Sequence, residues 1–439
     1  MDILVRIAQF LLSLCILVLL HELGHYVAAR AFKARVEKFY IFFNPWFSLF
    51  KRKIGDTEFG IGWIPLGGFA KIAGMVDESF DTKSLVSEPK PYEFRAKPAW
   101  QRLIIVSGGV IVNLLLAWVI YSAILFTAGE SYVATADVRY GIAPDSVGRA
   151  AGFLPGDMVQ LVNGKPVERF SDLYTRLLLE PEAEVAVLRD GQPVSVTVPR
   201  WAIKHLVQGR PFFGARMPFV VDSVAPGSAA AQAGYQRGDS LLSIDGQPAT
   251  YFDEFREAAL QHRNGAMHTV VMRAGVPTEV AVSVPETGLV GVYAVADYSR
   301  LFRISHREYG LMESIPAGAR LGYRTLANYA RSLKLLFMPN TGAQQSIGGF
   351  ISIGKIFPGS WDWRAFWSLT AFLSVALALM NFLPIPGLDG GHAVFILYEM
   401  VTRRKPSAKF LIKAQTVGFI LLMALLVYAN ANDIIKLFR

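Results

Sequence analysis

The chain has 439 residues, of which 52% are hydrophobic and only 18% charged, and its mean hydropathy is +0.34. Soluble domains carry about 25% charged residues, so the composition excludes a wholly soluble protein and fits membrane helices carrying a soluble part. Cys15 is the sole cysteine, which excludes an intrachain disulfide scaffold and, in apolar surroundings, a thiolate nucleophile. The formal net charge of +9 is concentrated beside apolar segments, where it reads as a membrane orientation signal and not as a nucleic-acid surface.

The first apolar segment runs from Ile3 to Ala29. It begins like a secretion signal, with Arg6 before a leucine-rich core, but no small-x-small cleavage site follows the core. His21-Glu22-Leu23-Gly24-His25 follows instead, so the segment is read as a retained transmembrane helix. Further apolar runs cover 103–128, 366–383 and 410–429, each approaching the roughly 20 residues that cross a bilayer. Arg30, Lys33, Arg35, Lys38, Lys51, Arg52, Lys53, Lys97 and Arg102 lie between the first two runs or at the edge of the second. Arg403, Arg404, Lys405, Lys409 and Lys413 lie between the last two or just into the fourth. Both loops are therefore expected on the cytoplasmic side, with the long segment between the second and third runs on the opposite side.

That long segment contains a repeat. Pro144-Asp-Ser146, Ala151-Gly152, Gly156-Asp157, Asn163-Gly164 and Pro166 recur as Pro226-Gly-Ser228, Ala233-Gly234, Gly238-Asp239, Asp245-Gly246 and Pro248. In each copy Gly-Asp opens a short β-rich run closed by an Asn-Gly or Asp-Gly turn. The pattern resembles PDZ domains of the permuted type found in bacterial proteases. After the repeats, Ile315, Ala319, Gly322, Leu326, Tyr329, Leu333 and Leu336 recur at helical spacing with Arg320, Arg324, Arg331 and Lys334 between them. This predicts an amphipathic helix resting on the membrane surface or against the neighbouring PDZ-like domain.

The fold class expected is thus membrane α-helical, with about four transmembrane helices and two inserted PDZ-like domains. The expected division begins with a first helix at 1–30, a cytoplasmic loop at 31–102 and a second helix at 103–128. PDZ-like domains follow at 129–211 and 212–288, then a juxtamembrane segment at 289–362. A third helix at 363–391, a cytoplasmic loop at 392–408 and a fourth helix at 409–439 complete it.

His21 and His25 are four apart on a predicted helix, so both imidazoles leave one face and can hold one zinc ion. Glu22 is placed to take a proton from the attacking water. The five-residue pattern is common by itself. Directly after a run of leucines, however, two histidines and a glutamate carry a desolvation cost that function explains. A catalytic zinc site needs a third protein ligand. His205, His262, His268 and His306 belong to the inserted segment, whereas Asp389 closes the third apolar run within Asn381-Phe-Leu-Pro384-Ile-Pro386-Gly387-Leu388-Asp389-Gly390-Gly391-His392. Such Pro- and Gly-rich backbone at membrane depth lines a cavity or is buried in protein, and Asp389 is the expected third ligand.

His21-Glu-Leu-Gly-His25 paired with Leu388-Asp389-Gly390 resembles the site-2 proteases, and the wider pattern resembles their branch of bacterial sigma-E regulatory proteases. Pro65-Leu-Gly67-Gly68-Phe is similar to that branch's cytoplasmic membrane-associated β-loop. Gly109-Val-Ile-Val-Asn113 is similar to its second conserved span. Phe42-Phe43-Asn44-Pro45 and Ile347-Gly348-Gly349-Phe350 depart from the family's usual glycine-rich and Gly-Pro-Ile runs. The resemblance implies zinc on His21, His25 and Asp389, and Glu22 as general base. It also implies contacts of Asn381, Pro65, Gly67, Gly68 and Asn113 with an unwound single-span membrane protein, of which anti-sigma factors and signal-peptide remnants are examples. The location implied is a bacterial inner membrane. A non-catalytic membrane adaptor would show the same spans and repeats but bind no stoichiometric zinc.

Overall fold

The computed structural model describes residues 2–65, 67–75, 88–338, 343 and 347–438. Leu66 of the expected β-loop lies outside the described residues. The chain separates into two compact units, one formed by Met1–Gly129, Glu308–Lys334 and Gln344–Arg439, the other by Glu130–Arg307 and Leu335–Ala343.

The first unit begins with α1 (Asp2–Ala31), β1 (Val36–Ile41), β2 (Phe50–Ile54), β3 (Thr57–Ile61), β4 (Phe69–Ile72) and α2 (Ala99–Ala128). It continues with α3 (Leu311–Leu335), α4 (Phe350–Ile356), α5 (Trp363–Phe382), α6 (Asp389–Thr402) and α7 (Ala408–Leu437). Of these, α1, α2, α5 and α7 are long and apolar enough to cross a membrane, as the four apolar runs led us to expect. Ile111, Leu115 and Val119 on α2 and Val417, Ile420 and Leu421 on α7 point outward and are exposed. A continuous apolar exterior of this kind is stable against hydrocarbon, not water.

Where α1 crosses α2, glycine meets glycine. A Cβ on Gly24 would stand 2.3 Å from the Gly108 carbonyl oxygen, and one on Gly108 would stand 2.5 Å from that of Gly24. Helices in lipid gain little from hiding apolar surface, so they associate through such close backbone approach. Buried Ala29, Ile105 and Val106 extend this seam, joined by Ala393 and Ile396 of α6. Helix α6 occupies most of what was expected to be a loop after residue 391. Its apolar face explains the helix, and an Arg102–Glu399 ion pair at 2.5 Å fastens it to α2.

The predicted amphipathic helix forms as α3; its stripe packs from Gly322 onward, with Leu326, Tyr329, Leu333 and Leu336 half-buried, but in the first turns the residues that pack are offset from it. Ser314, Ala317 and Gly318 are buried, whereas Ile315 and Ala319 are exposed. Trp118 Nε1 donates to the Ile315 carbonyl at 2.8 Å, and a Cβ on Gly318 would lie 2.2 Å from Ser122 Oγ. Leu321 and Leu326 join Ala117, Ile120, Ala371 and Val375 in one cluster, and Tyr329 meets Phe372 edge-on. The helix therefore packs on the spans α2 and α5. In its first turns small residues take the helix–helix contact while Ile315 faces outward, as packing in lipid favours.

The four strands order as β2-β3-β1-β4, with β1 parallel to β3 and antiparallel to β4. Phe39 and Phe59 meet Tyr26 of α1 edge-on, so the sheet lies back along the helix that precedes it.

In the second unit the two sequence repeats build matching four-stranded sheets, each beside a two-stranded one. Strand Phe213–Ala215 pairs with Ile142–Pro144 of the first copy, and Val292–Ala294 pairs with Val221–Val224 of the second. Pairing thus carries each copy past the expected ends at 211 and 288. Structure also explains the repeated Gly-Asp. Asp157 accepts from the Leu154 amide and from Arg189, which also donates to the Gly152 carbonyl. Asp239 accepts from the Gln236 amide and from Arg273, which donates to the Gly234 carbonyl. Each carboxylate is buried and locks the turn before the sheet.

Burial pushes the Asp239 pKa up, but the Arg273 guanidinium and the Gln236 amide outweigh it and hold the carboxyl below its ordinary range. A depressed carboxylate contributes stability that is present above its unfolded value of about 3.9 and lost as pH falls through the folded value. Amide protection across 240–273 is therefore expected to weaken below about pH 4. Asp239→Asn should lose roughly 2–4 kcal/mol at neutral pH and flatten that acid limb, both readable by hydrogen exchange on the full chain.

Candidate metal centre

Helix α1 carries His21 and His25 on one face, their rings 4.9 Å apart and near-perpendicular. The two Nε2 atoms are 3.4 Å apart. His25 Nδ1 lies 2.9 Å from the Ile105 carbonyl oxygen. A carbonyl only accepts, so Nδ1 holds the proton and Nε2 keeps its lone pair free. Asp389 arrives from the far end of the chain as the first residue of α6 and puts Oδ2 3.3 Å from each Nε2.

The loop that delivers Asp389 depends on missing side chains. A Cβ on Gly390 would lie 2.2 Å from the Leu383 carbonyl oxygen, and one on Gly391 2.4 Å from that of Ile385. Only so small a pair lets the backbone double back onto the start of α6. Helix α7 braces the same loop from outside. A Cβ on Gly418 would lie 1.6 Å from the Pro386 carbonyl oxygen, and the Gln415 amide reaches the His392 ring at 2.6 Å.

One ligand atom from each of His21, His25 and Asp389 lies within 4.8 Å of the others. Asp389 Oδ2 is buried with no hydrogen-bond partner. A carboxylate facing two imidazole lone pairs is electrostatically unfavourable unless a cation lies between them. Two imidazole nitrogens and one carboxylate oxygen are also a donor set of catalytic zinc sites, which leave a fourth position open. The residues fit that metal.

Around this centre stand the other expected residues. Asn381, one residue before the end of α5, places its amide 3.0 Å from His21 Nε2. Asn113 is fully buried on α2, its amide 3.1 Å from His21 Nδ1. Pro65, Gly67 and Gly68 lead into β4, and a Cβ on Gly68 would lie 2.8 Å from Val18 Cγ1 and 3.3 Å from Glu22 Cγ. Glu22 is half-buried, and the Ala70 amide of β4 reaches its carboxylate. Sequence reasoning did not find Ile105, Gly108, Gln415 or Gly418. Their contributions are a backbone carbonyl, a missing side chain or a brace behind a loop, for which a single sequence carries no signal.

A helix-borne pair of imidazoles, a carboxylate from a distant loop and an adjacent glutamate, enclosed by apolar helices, define a metal-dependent hydrolase of the membrane interior. A family model described as peptidase family M50 matches residues 9–425, and the chain belongs to that family. It is 28% identical to the regulator of sigma-E protease RseP of Escherichia coli over 98% of each chain. It is 27% identical to the metalloprotease MmpA of Caulobacter vibrioides, over 98% of this chain and 96% of that one. A Neisseria meningitidis protein that bears a zinc-metalloprotease name is 31% identical over 98% of each chain. The enzyme is an intramembrane zinc metalloprotease of the site-2 type, similar to RseP.

Proposed function

We propose that the enzyme cuts the transmembrane segments of single-span membrane proteins, anti-sigma-factor-like proteins or signal-peptide remnants among them, in regulated intramembrane proteolysis. His21, His25 and Asp389 hold zinc and Glu22 is the general base. The observation that carries this reading is the convergence of both Nε2 atoms on the partnerless Asp389 Oδ2 beside Glu22. Zinc bound there supplies Lewis acidity toward the scissile carbonyl and the attacking water. Glu22 takes the water's proton and returns it to the leaving amine. Asn113 acts on His21 and not on substrate. To leave Nε2 free, His21 must carry its proton on Nδ1, and the Asn113 amide then turns its oxygen toward it. Asn381, whose present partner is the ligand atom Nε2 of His21, frees its amide for the substrate backbone once that atom is engaged. An unwound substrate pairs along the open edge of β4, where Gly68 keeps the approach to Glu22 free of a side chain and Pro65 and Gly67 lead the backbone into that edge.

Asp389→Ala is expected to lose stoichiometric zinc and cleavage of a model single-span substrate together. Zinc retained at wild-type stoichiometry would refute the ligand assignment.

The basic loops support a metal centre near the cytoplasmic face of a bacterial inner membrane and a PDZ-like pair on the periplasmic side. The second copy supports docking of a peptide carboxylate. Among the described residues, Val292–Ala294 pairs on one edge only, and the Gly288 turn before it lies beside Leu260 and Arg263. Removing about 130–285 should then abolish cleavage of substrates already trimmed on the periplasmic side. Faster cleavage of untrimmed substrates would instead make the pair a size filter.

A further inference from the structure

Ser374 on α5 turns its hydroxyl away from its own helix. Hydroxyls inside helices ordinarily donate to the carbonyl one turn back. Thr325, Ser332, Thr402 and Thr416 do so here, at 2.8 to 2.9 Å. Ser374 instead donates across to the Asn113 carbonyl oxygen of α2 at 2.7 Å. Both residues are fully buried, so water offers that hydroxyl no alternative partner. One turn earlier on α5, the hydroxyls of Thr370 and Ser13 of α1 meet at 3.0 Å, and these residues are fully buried too.

These two contacts tie α5 to both of the helices it packs on. Much of the rest of its buried face is small and apolar, with Ala371, Val375 and Ala378. Such surfaces let helices approach closely but leave sliding and rotation open. A hydrogen bond between two particular atoms, buried among apolar neighbours, fixes the register. What that register decides lies two turns on. Asn381 follows Ser374 by seven residues, on nearly the same face and roughly 10 Å further along the axis. Its amide stands 3.0 Å from His21 Nε2, and α5 ends one residue later at Phe382, so Asn381 has almost no helix beyond it to hold it. Asn113, whose carbonyl receives Ser374, has its own amide 3.1 Å from His21 Nδ1. His21 is thus met at both ring nitrogens by side chains from the two helices that Ser374 joins.

We propose that Ser374 is a positioning residue for the substrate. Its bond to the Asn113 carbonyl, seconded by the Thr370–Ser13 contact, sets α5 against α1 and α2 so that Asn381 presents its amide to the substrate backbone beside the metal. The metal ligands do not depend on it. His21 and His25 belong to α1, Asp389 is delivered by a loop that α7 braces, and the Asn113 amide keeps its contact with His21 whether or not its carbonyl receives Ser374. The inference rests on the reading of Asn381 as a substrate-binding residue.

The test compares Ser374→Ala, Asn381→Ala and the two together in the full-length protein, with cleavage of a model single-span substrate and zinc content measured on each. Ser374→Ala is expected to raise KM roughly threefold to tenfold, about what one hydrogen bond to substrate is worth, with kcat and zinc stoichiometry at wild-type values. Added to Asn381→Ala, it should change KM by less than about twofold, because the group it positions is already gone. A merely structural role gives the opposite pattern, since a smaller fraction of active enzyme lowers kcat and leaves KM alone. Thr370→Val, which keeps the shape and loses the hydroxyl, should raise KM in the same way, and Thr370→Ser, which keeps the hydroxyl, should not. If Ser374→Ala does not fold, that pair decides the same question. Wild-type KM in Ser374→Ala, or independent effects that multiply in the double variant, overturns the proposal. Zinc lost from Ser374→Ala overturns it as well, since Ser374 would then act through Asn113 on His21. Wild-type KM in Asn381→Ala is a different failure: it removes the substrate role of Asn381, and the positioning role falls with it.

Discussion

A Glu22→Gln variant is expected to keep its full complement of zinc and to cleave a single-span substrate about a hundred- to ten-thousand-fold more slowly, the range associated with loss of a general base. Glutamine has the same shape, and its amide oxygen can still accept from the Ala70 amide, so β4 and the metal ligands stay where they are. What it lacks is a lone pair basic enough to take a proton from water. The contrast with Asp389→Ala makes the result informative, since one variant loses the proton acceptor and the other loses the metal. Metal content and single-turnover cleavage measured on the same preparations separate the two. Full activity in Glu22→Gln would overturn the mechanism, and loss of zinc would move Glu22 among the ligands.

Much of this arrangement could be read from the chain. The spans stand out because hydrocarbon demands long uncharged runs. The repeats stand out because their turns need Gly-Asp and Asn-Gly at fixed offsets. His21 and His25 were legible because helical periodicity fixes which side chains share a face. Asp389 was legible because polar residues at the end of an apolar run need a reason. The face on which the first turns of α3 pack was not legible, although the stripe from Gly322 onward was. Hydrophobicity rewards the line through Ile315 and Ala319, but in lipid the close-packed line is the one with Ser314, Ala317 and Gly318. Nor was α6, since a short apolar stretch after a Pro- and Gly-rich loop is equally compatible with extended chain.

Gly109 supports the sharpest test of the metal centre's construction. It lies on α2 opposite the histidine pair, and a Cβ there would stand 2.5 Å from both His21 Cε1 and His25 Nε2. Neither ring can step aside freely, because His25 is held by the Ile105 carbonyl and His21 by Asn113. Zinc–ligand distances in well-formed sites fall within about 0.2 Å of their usual values. A methyl group that drives both imidazoles further than that should weaken zinc binding about tenfold to a hundredfold, the range seen when ligand-orienting contacts are lost. The backbone pushes the other way: alanine in place of glycine inside a helix favours it by about 1 kcal/mol. Gly109→Ala is therefore expected to remain folded and yet lose metal, a combination that general destabilisation of the helices does not produce. Gly322→Ala on α3 is the matched control, since its nearest neighbour, Tyr121, is 3.8 Å away, and it should keep zinc. Competition with a chelator of known affinity reads the first effect and thermal unfolding the second. Wild-type zinc affinity in Gly109→Ala would show that the metal ligands do not require the space this glycine leaves.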